Sequence, residues 1–318
     1  MEHEYYMKRC LQLAENGRQN AKPNPMVGAV IVAQNRIIGE GYHVRFGEGH
    51  AEVNAFASVK SEDEMLLNEA TIYVSLEPCS HYGKTPPCAD LIISKGIKRC
   101  VCGCVDPFAK VQGRGIQRMR DAGIEVIVGV MEKECLALNR RFITFNAKHR
   151  PYILLKWAQT LNGFISRKGG PLQLSTPKTQ MLVHQLRAEN DAILVGHTTF
   201  LTDHPRLDVR QWSGQNPERI VLSPTMSAQN ARPSNWTVAA TIDEVIAHLY
   251  ATKKQSLVVE GGRMTLQAFI DRGLWDEIRI ETAPVFITDG VPAPHIPSDA
   301  HIEKTESIDG NQIITLCR

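Results

Sequence analysis

Hydrophobic and polar positions form alternating blocks along the first half of the chain, and these blocks predict strands and helices in turn. Apolar runs of strand length occupy residues 26–32, 36–42, about 70–78, 99–105 and 125–130. Segments with helical spacing lie around and between them, at about 4–15, 50–59, 88–96, 113–123 and 132–147. This alternation predicts a layered α/β domain with a substantially parallel sheet, and the first two strands predict an antiparallel hairpin at its edge.

A second alternating series begins at Pro151, after a short polar link that starts at Lys148. We therefore predict two domains, residues 1–148 and 149–318. Thr176-Pro177 predicts the N-cap and first residue of a helix that continues to Glu189.

Three strands are predicted in this second half, at 191–196, 219–223 and 256–262. In open α/β sheets, ligands bind beyond the carboxyl ends of the strands. The segments VGHTTF (195–200) and VEGGRMT (259–265) follow two of these strands. We therefore expect them to contribute to a ligand site.

Composition narrows the possible functions. The chain is 43% hydrophobic and 22% charged, with a net charge of +2. These values are typical of a globular protein and give no sign of a nucleic-acid or membrane surface. The sequence contains no apolar run of spanning length, and its amphipathic N-terminus does not resemble a signal peptide. We expect a cytoplasmic protein whose partner is a small molecule.

The chain contains eight cysteines. Because cytoplasmic proteins rarely rely on disulfides, these cysteines are expected either to bind metal or to be buried. Cys100, Cys102 and Cys104 alternate with period two, which predicts that they share one face of a strand. We favour buried apolar cysteines there over a second metal site.

A histidine and two cysteines suggest a metal centre. His50 and Glu52 lie at the predicted start of a helix in GHAEVNAF, and Cys79 and Cys88 follow, each preceded by proline. Alone, the histidine is an ordinary helix start, and the two cysteines could simply be buried. Together they offer one imidazole and two thiolates, and three protein ligands with an open fourth position are typical of catalytic zinc.

Glu52 is too close to His50 along the helix to be a natural fourth ligand. It is better placed to move a proton of a metal-bound water, whose pKa zinc lowers from 15.7 to about 7. Zinc deaminases carry H-x-E followed by P-C-x-x-C, with the glutamate as acid and base. Here the second cysteine is displaced by six residues, which indicates a subclass.

Four stretches of the first half resemble the deaminase domain of the bifunctional riboflavin-biosynthesis deaminase–reductases. They are AKPNPMVGAVIV, GYHVRFGEGHAEVNAF, YVSLEPCSHYGKTPPCADLIISKGI and VDPFAKVQGRGIQRMRDAGIEVIVGV. The resemblance implies a cytidine-deaminase-like three-layer domain with Zn²⁺ on His50, Cys79 and Cys88. Its substrate would be 2,5-diamino-6-ribosylamino-4(3H)-pyrimidinone 5′-phosphate, deaminated with Glu52 as the proton carrier. The implied substrate contacts are Asn24, His43, His81, Lys84 and Thr85.

The second half resembles the reductase domain of the same family, in LLKWAQTLNGFIS, HQLRAENDAILVGHTTFLTDHPRLDVR and LVVEGGRMTLQAFIDRGLWDEIRI. This implies a dihydrofolate-reductase-like α/β domain that transfers hydride from NADPH to convert a ribosyl group to ribityl. The implied NADPH contacts are Ala158, Thr199, Asp203, Gly262, Arg263, Met264 and Thr265. The implied substrate contacts are Arg187, Leu207, Arg210 and Glu260.

The second half also departs from the pattern of that family, at Asn162, Leu172, Leu174 and His204. One alternative is therefore a deaminase with a degenerate or oligomerising second domain. A deaminase of nucleic-acid bases is disfavoured by the near-neutral charge and the long SHYGKTPP loop. A structural zinc protein would leave Glu52 unexplained. We expect a homo-oligomer, as is common for enzymes of this kind.

Overall fold

The chain divides into two compact units, Met1–Ala147 and Lys148–Arg318. The computed structural model describes residues 2–81, 86–106, 113–167, 172–228 and 234–318. Within those ranges, no helix combines the length and the apolar character that crossing a membrane requires.

The first unit follows the strand–helix alternation of its sequence. Its elements are α1 (Glu2–Glu15), β1 (Gly28–Ala33), β2 (Arg36–Tyr42), α2 (Ala51–Ala57), a 3₁₀ helix (Ser61–Glu69), β3 (Thr71–Val74), α3 (Cys88–Ser94), β4 (Arg99–Cys102), α4 (Arg114–Asp121), β5 (Glu125–Val128), α5 (Glu132–Leu138) and α6 (Arg140–Lys148).

The strands form one sheet in the order β2-β1-β3-β4-β5. β1 runs antiparallel to β2 and to β3, and β3, β4 and β5 are parallel, so the predicted edge hairpin is confirmed. One face of the sheet packs against α2, α3 and α4, and the other packs against α1 and α5. The result is the predicted three-layer domain.

Two local predictions were wrong in this unit. Cys104 follows the end of β4 and packs with Val101 on the face opposite to Cys100 and Cys102, because the alternation of an extended strand stops at Cys102. The predicted helix 132–147 is divided at Asn139. The Asn139 amide exchanges two hydrogen bonds of 2.8 Å with the backbone of Met26, which fixes it where the helix would otherwise continue.

The second unit also alternates. Its elements are β6 (Tyr152–Thr160), β7 (Phe164–Arg167), α7 (Pro177–Glu189), β8 (Ala192–Gly196), α8 (His197–Asp203), β9 (Glu218–Leu222), α9 (Pro224–Ala228), β10 (Thr237–Ala239), α10 (Ile242–Ala251), β11 (Ser256–Val259), α11 (Arg263–Asp271), β12 (Glu277–Ala283), β13 (Gly290–Pro292), β14 (His301–Ile308) and β15 (Asn311–Cys317).

Its large sheet has the order β10-β9-β8-β11-β6-β12-β15-β14. The strands from β10 to β12 are parallel to their neighbours, whereas β15 and β14 are antiparallel additions at one edge. The Thr176 side chain accepts the backbone N–H of Thr179 at 3.2 Å, so the predicted N-cap of α7 is confirmed. This is the expected dihydrofolate-reductase-like α/β domain, and its parallel strands bring the ends of β8 and β11 to the same edge.

Candidate active sites

Three short segments of the first unit bring His50, Cys79 and Cys88 together. His50 immediately precedes α2, Cys79 lies in the loop after β3, and Cys88 is the first residue of α3. Their ligand atoms all lie within 4.8 Å of one another, and His50 Nδ1 is 3.6 Å from Cys79 Sγ and 3.3 Å from Cys88 Sγ. Tetrahedral zinc separates a sulfur and a nitrogen ligand by about 3.5 Å. The donor set and its spacing therefore fit a zinc ion.

Hydrogen bonds prepare Cys79 for ligation. The hydrogen bond from the Cys88 thiol lowers the pKa of Cys79 by more than burial raises it, and the hydrogen bond to His50 lowers this pKa further. The backbone N–H of Cys88 also donates to Cys79 Sγ at 3.3 Å. A bound dication deprotonates the thiols that coordinate it. The site thus stabilises a thiolate even before a cation is considered.

Glu52 lies in the first turn of α2 and is 3% exposed. Its carboxyl shares a hydrogen bond with the Cys88 side chain. Burial, followed by the charge of Cys79, raises the pKa of Glu52 to about 7. A carboxyl with this pKa can both accept and donate a proton near neutral pH, as an acid–base group must.

A hydrogen-bonded pair lies beside the ligand histidine. Asn24 Nδ2 is 3.1 Å from His43 Nε2, and His43 Nδ1 is 3.1 Å from the carbonyl oxygen of Gly49. The rings of His43 and His50 meet edge to face, with centroids 5.4 Å apart. Burial lowers the pKa of His43, so this ring is neutral at physiological pH.

The other deaminase contacts implied by the sequence are less closely placed. His81 is exposed, just beyond the Cys79 loop. Lys84 and Thr85 lie outside the described residues. The structure therefore brings together the metal ligands, Glu52, Asn24 and His43.

The second unit contains a cavity of about 1130 Å³, lined by residues at and beyond the carboxyl ends of its parallel strands. The two segments chosen from the sequence, after β8 and after β11, both contribute to its wall. The expected NADPH contacts all line it: Ala158, Thr199, Asp203, Gly262, Arg263, Met264 and Thr265. Of the expected substrate contacts, Arg187, Arg210 and Glu260 line the cavity, whereas Leu207 is buried outside its lining.

Arg187 and Glu260 form a buried ion pair in this cavity. Arg187 Nη2 is 2.8 Å from Glu260 Oε2, with the two side chains 12% and 9% exposed. Burial opposes ionisation of Glu260, but the charges of Arg187 and Lys156 outweigh burial and lower its pKa. Glu260 is therefore held as a carboxylate in the cavity wall.

Three further residues of the cavity wall received no individual role from the sequence: Lys156, His184 and His197, the last of which lies in the segment chosen after β8. His184 is buried, and its Nδ1 has no hydrogen-bond partner in the described part of the chain. It precedes Arg187 by three positions on α7, and that spacing could have identified it because residues i and i+3 share a helix face. His197 Nδ1 lies 2.8 Å from the Oγ of buried Ser223, a long-range pairing that no local pattern reveals.

The four departures from the family pattern have different surroundings. Leu172 and Leu174 line the cavity. Asn162 is outside its lining, where Nδ2 donates to the carbonyl of Ile287 at 2.8 Å. His204 is exposed at the end of α8. Only the two leucines change the cavity wall directly.

Comparisons with known proteins agree with this arrangement. The family described as the cytidine and deoxycytidylate deaminase zinc-binding region matches residues 1–104. The RibD C-terminal domain family matches residues 151–307. The first match contains all three cysteine and histidine ligands, and the second contains every residue expected to contact NADPH.

Relatives match across almost the whole chain. The riboflavin biosynthesis protein RibD of Aquifex aeolicus is 38% identical over 90% of this chain and 88% of its own. That of Bacillus amyloliquefaciens is 34% identical over 96% and 90%. A Thermotoga maritima crystal structure, of a diaminohydroxyphosphoribosylaminopyrimidine deaminase/5-amino-6-(5-phosphoribosylamino)uracil reductase, superposes with a TM-score of 0.90 at 35% identity, covering 99% of this chain and 98% of that one. The chain therefore belongs to the RibD family of bifunctional riboflavin-biosynthesis deaminase–reductases.

Proposed function

We propose that the first unit carries out zinc-dependent hydrolytic deamination of 2,5-diamino-6-ribosylamino-4(3H)-pyrimidinone 5′-phosphate, and that the second unit reduces the ribosyl group of the product to ribityl with NADPH. The observation that carries this proposal is the His50, Cys79 and Cys88 cluster with buried Glu52 against it. The two activities in the name of the Thermotoga relative supply the class of substrate.

In the first unit, His50 and the two cysteines would hold the ion. Zinc bound there supplies hydroxide at neutral pH, because it lowers the pKa of a coordinated water to about 7. Glu52 would carry a proton between water and the departing amine, which its pKa of about 7 permits in both directions. Its burial keeps bulk water from competing for the proton.

Asn24 and His43 would orient the pyrimidine next to the ion. An amide side chain offers both a donor and an acceptor, which suits the edge of a pyrimidine. The 3.1 Å contact with His43 fixes the direction of the Asn24 amide, so this amide is already oriented before the substrate binds. His81, with Lys84 and Thr85, remains proposed for the phosphate end of the substrate.

In the second unit, NADPH would bind in the cavity through the segments after β8 and β11. Gly262 has φ of 59°, a conformation that glycine adopts without strain. A Cβ at Gly261 would lie 2.6 Å from Val195 Cα, so the two segments approach each other closely because glycine is present. Arg263 then follows as the first residue of α11 and faces the same cavity.

The substrate of the reduction would meet a charged wall made by Arg187, Glu260 and Lys156. Arg187 is engaged by Glu260 and by the carbonyl of Asp208, which fixes its guanidinium. Arg210 is exposed and pairs with Asp208, so it can turn to a phosphate without breaking a buried contact. Leu207 lies outside the cavity lining and is buried in an apolar cluster with Leu186 and Val195.

The experiment is a metal measurement combined with a coupled assay. We expect one zinc per chain, ammonia release from the ribosylaminopyrimidine phosphate, and then NADPH oxidation by the deaminated product. Ammonia release without NADPH oxidation would favour the alternative of a deaminase with a degenerate second domain. Absence of ammonia release from zinc-loaded, folded protein would overturn the proposed deamination. Light scattering on the same preparation measures the expected homo-oligomer.

A further inference from the structure

Glu77 precedes the ligand Cys79 by two residues, and its side chain binds the start of α4. It is 4% exposed and accepts four backbone N–H groups. Oε2 accepts from Gly113 at 2.9 Å and Asp106 at 3.2 Å, and Oε1 accepts from Gly115 at 2.9 Å and Ile116 at 3.4 Å. The first N–H groups of a helix have no partner within the helix, and they favour negative charge. Glu77 therefore joins the strand end that leads to Cys79 to the N-terminus of α4.

Gly115 brings α4 directly against the same loop. A Cβ built on Gly115 would lie 2.1 Å from the carbonyl oxygen of Pro78, so any side chain there would displace the helix or the loop. Pro78 is the residue between Glu77 and Cys79. The helix backbone thus packs on the peptide bond that carries the ligand cysteine.

Arg118, one turn further along α4, reaches both cysteine segments. Its Nη1 donates to the carbonyl of Ser80 at 3.4 Å, and its Nε is 2.6 Å from Asp90 in the first turn of α3. α3 begins with the ligand Cys88. One side chain therefore links the residue after Cys79 to the helix that carries Cys88, although at 41% exposure its contribution is the smaller one.

We propose that α4 is a brace for the metal centre, with Glu77 as its main positioning residue and Gly115 and Arg118 as its further contacts. The brace holds Cys79 Sγ where the N–H of Cys88 and the imidazole of His50 meet it. A ligand that is already in place loses little conformational freedom when the ion binds. Residues that orient metal ligands typically contribute 10- to 100-fold to metal affinity.

The test compares zinc affinities by competition with a chromogenic chelator. Glu77→Gln keeps the size of the side chain but turns an amide NH₂ toward backbone N–H groups, so we expect zinc affinity to fall roughly 10- to 100-fold. Excess zinc should restore deamination, since the ligands and Glu52 are intact. That restored deamination shows that the first unit is folded, and unchanged NADPH-dependent reduction shows the same for the second unit.

Gly115→Ala and Arg118→Met test the brace without removing the buried carboxylate. Alanine ordinarily favours a helix over glycine, so weaker zinc binding by Gly115→Ala would come from the collision with Pro78 and not from helix propensity. Arg118→Met should weaken zinc binding less than Glu77→Gln does. Asp121→Asn is the matched control, because its carboxylate lies at the other end of α4 and contacts Gln117, and its zinc affinity should equal that of the wild type.

The brace rests on the proposed zinc site, and the two can fail separately. Wild-type zinc affinity in folded Glu77→Gln and Gly115→Ala would overturn the brace alone. Tight zinc binding by the wild type without ammonia release would overturn the proposed deamination, while the affinity comparison would still decide the brace. A wild-type chain with no zinc affinity would overturn both.

Discussion

The two sites of this protein are built in opposite ways. The metal centre of the first unit is compact, with three ligand atoms within 4.8 Å supplied by three short segments. The cavity of the second unit occupies about 1130 Å³, and its wall is drawn from β6, α7 and the segments after β8, β9, β10 and β11. A compact site depends on a few irreplaceable atoms, whereas a distributed site spreads its binding energy over many contacts. Substitutions should therefore have sharp effects in the first unit and graded effects in the second.

The largest effect is expected from removing a metal ligand. Cys88→Ala leaves one thiolate and one imidazole, which is too few for a stable zinc site of this type. We expect zinc content and ammonia release to fall to background, while NADPH-dependent reduction of the deaminated product continues. Metal analysis and the two half-reactions measured separately check this.

Cys317→Ser is the control, because Cys317 lies on β15 of the second unit and should keep full zinc content. Wild-type zinc content in Cys88→Ala would remove that residue from the ligand set.

The next effect concerns the proton carrier. Glu52→Gln keeps the shape of the side chain but removes its ability to accept a proton, so ammonia release should fall about 10²- to 10⁴-fold. Zinc content should stay at the wild-type level, since Glu52 is not one of the three clustered ligands. Unchanged deamination would show that another group carries the proton.

In the second unit, Arg187→Met should destabilise the domain by about 3–5 kcal/mol at pH 7, because it leaves the Glu260 carboxylate buried without its arginine. In the wild type the pKa of Glu260 is lowered, so the pair contributes its stability above the unfolded pKa and loses it as pH falls through the folded pKa. In the variant, burial opposes ionisation of Glu260 without the counter-charge of Arg187, so protonation relieves part of the penalty. The difference in free energy of unfolding should therefore shrink as pH falls from 7 to 5.

Tryptophan fluorescence can follow this transition selectively, because all four tryptophans lie in the second unit: Trp157, Trp212, Trp236 and Trp275. Arg210→Met provides the matched control, since Arg210 is 47% exposed in its pair with Asp208. Its urea midpoint should stay close to that of the wild type. Equal midpoints for both variants would mean that the buried pair makes no special contribution.

The smallest effect tests cofactor choice. Arg263 lines the cavity at the start of α11, and an arginine near a bound dinucleotide suits the 2′-phosphate that distinguishes NADPH from NADH. Arg263→Gln should raise KM for NADPH roughly tenfold, as expected for the loss of one charge-assisted hydrogen bond. KM for NADH should not change. A parallel rise for both cofactors would place Arg263 away from the 2′-phosphate.

The metal centre was predictable because its signals are local. Each of its residues lies next to a local signal that the sequence shows directly. His50 and Glu52 lie at a predicted helix start, and Cys79 and Cys88 each follow a proline. The strand pattern was equally readable, since the run 36–42 forms a strand over its whole length. The sequence did not reveal the role of Glu77, because its four N–H partners belong to residues 29 to 39 positions away.

Other features depend on contacts that only the folded chain creates. Asn139 interrupts a helical pattern because it binds Met26, 113 positions earlier. Cys104 leaves the face of Cys100 because β4 ends at Cys102, and the single Gly103 that follows is too weak a signal to end a predicted strand. The strand ends pointed to the segments after β8 and β11, but the individual cavity residues of the second unit were identified by family resemblance, since none of them carries a local signal of its own.

The contact between Asn24 and His43 sets a polarity for whatever lies beside the metal centre. The Gly49 carbonyl can only accept, so His43 Nδ1 carries the hydrogen and the neutral ring presents Nε2 as an acceptor. Asn24 must then donate its NH₂ to that nitrogen, which turns its oxygen away from the histidine. A pyrimidine bound there would meet that oxygen as a hydrogen-bond acceptor and the second N–H of the same amide as a donor. The pair thus works as a directional template, because His43 fixes which way the acceptor and the remaining donor of Asn24 point.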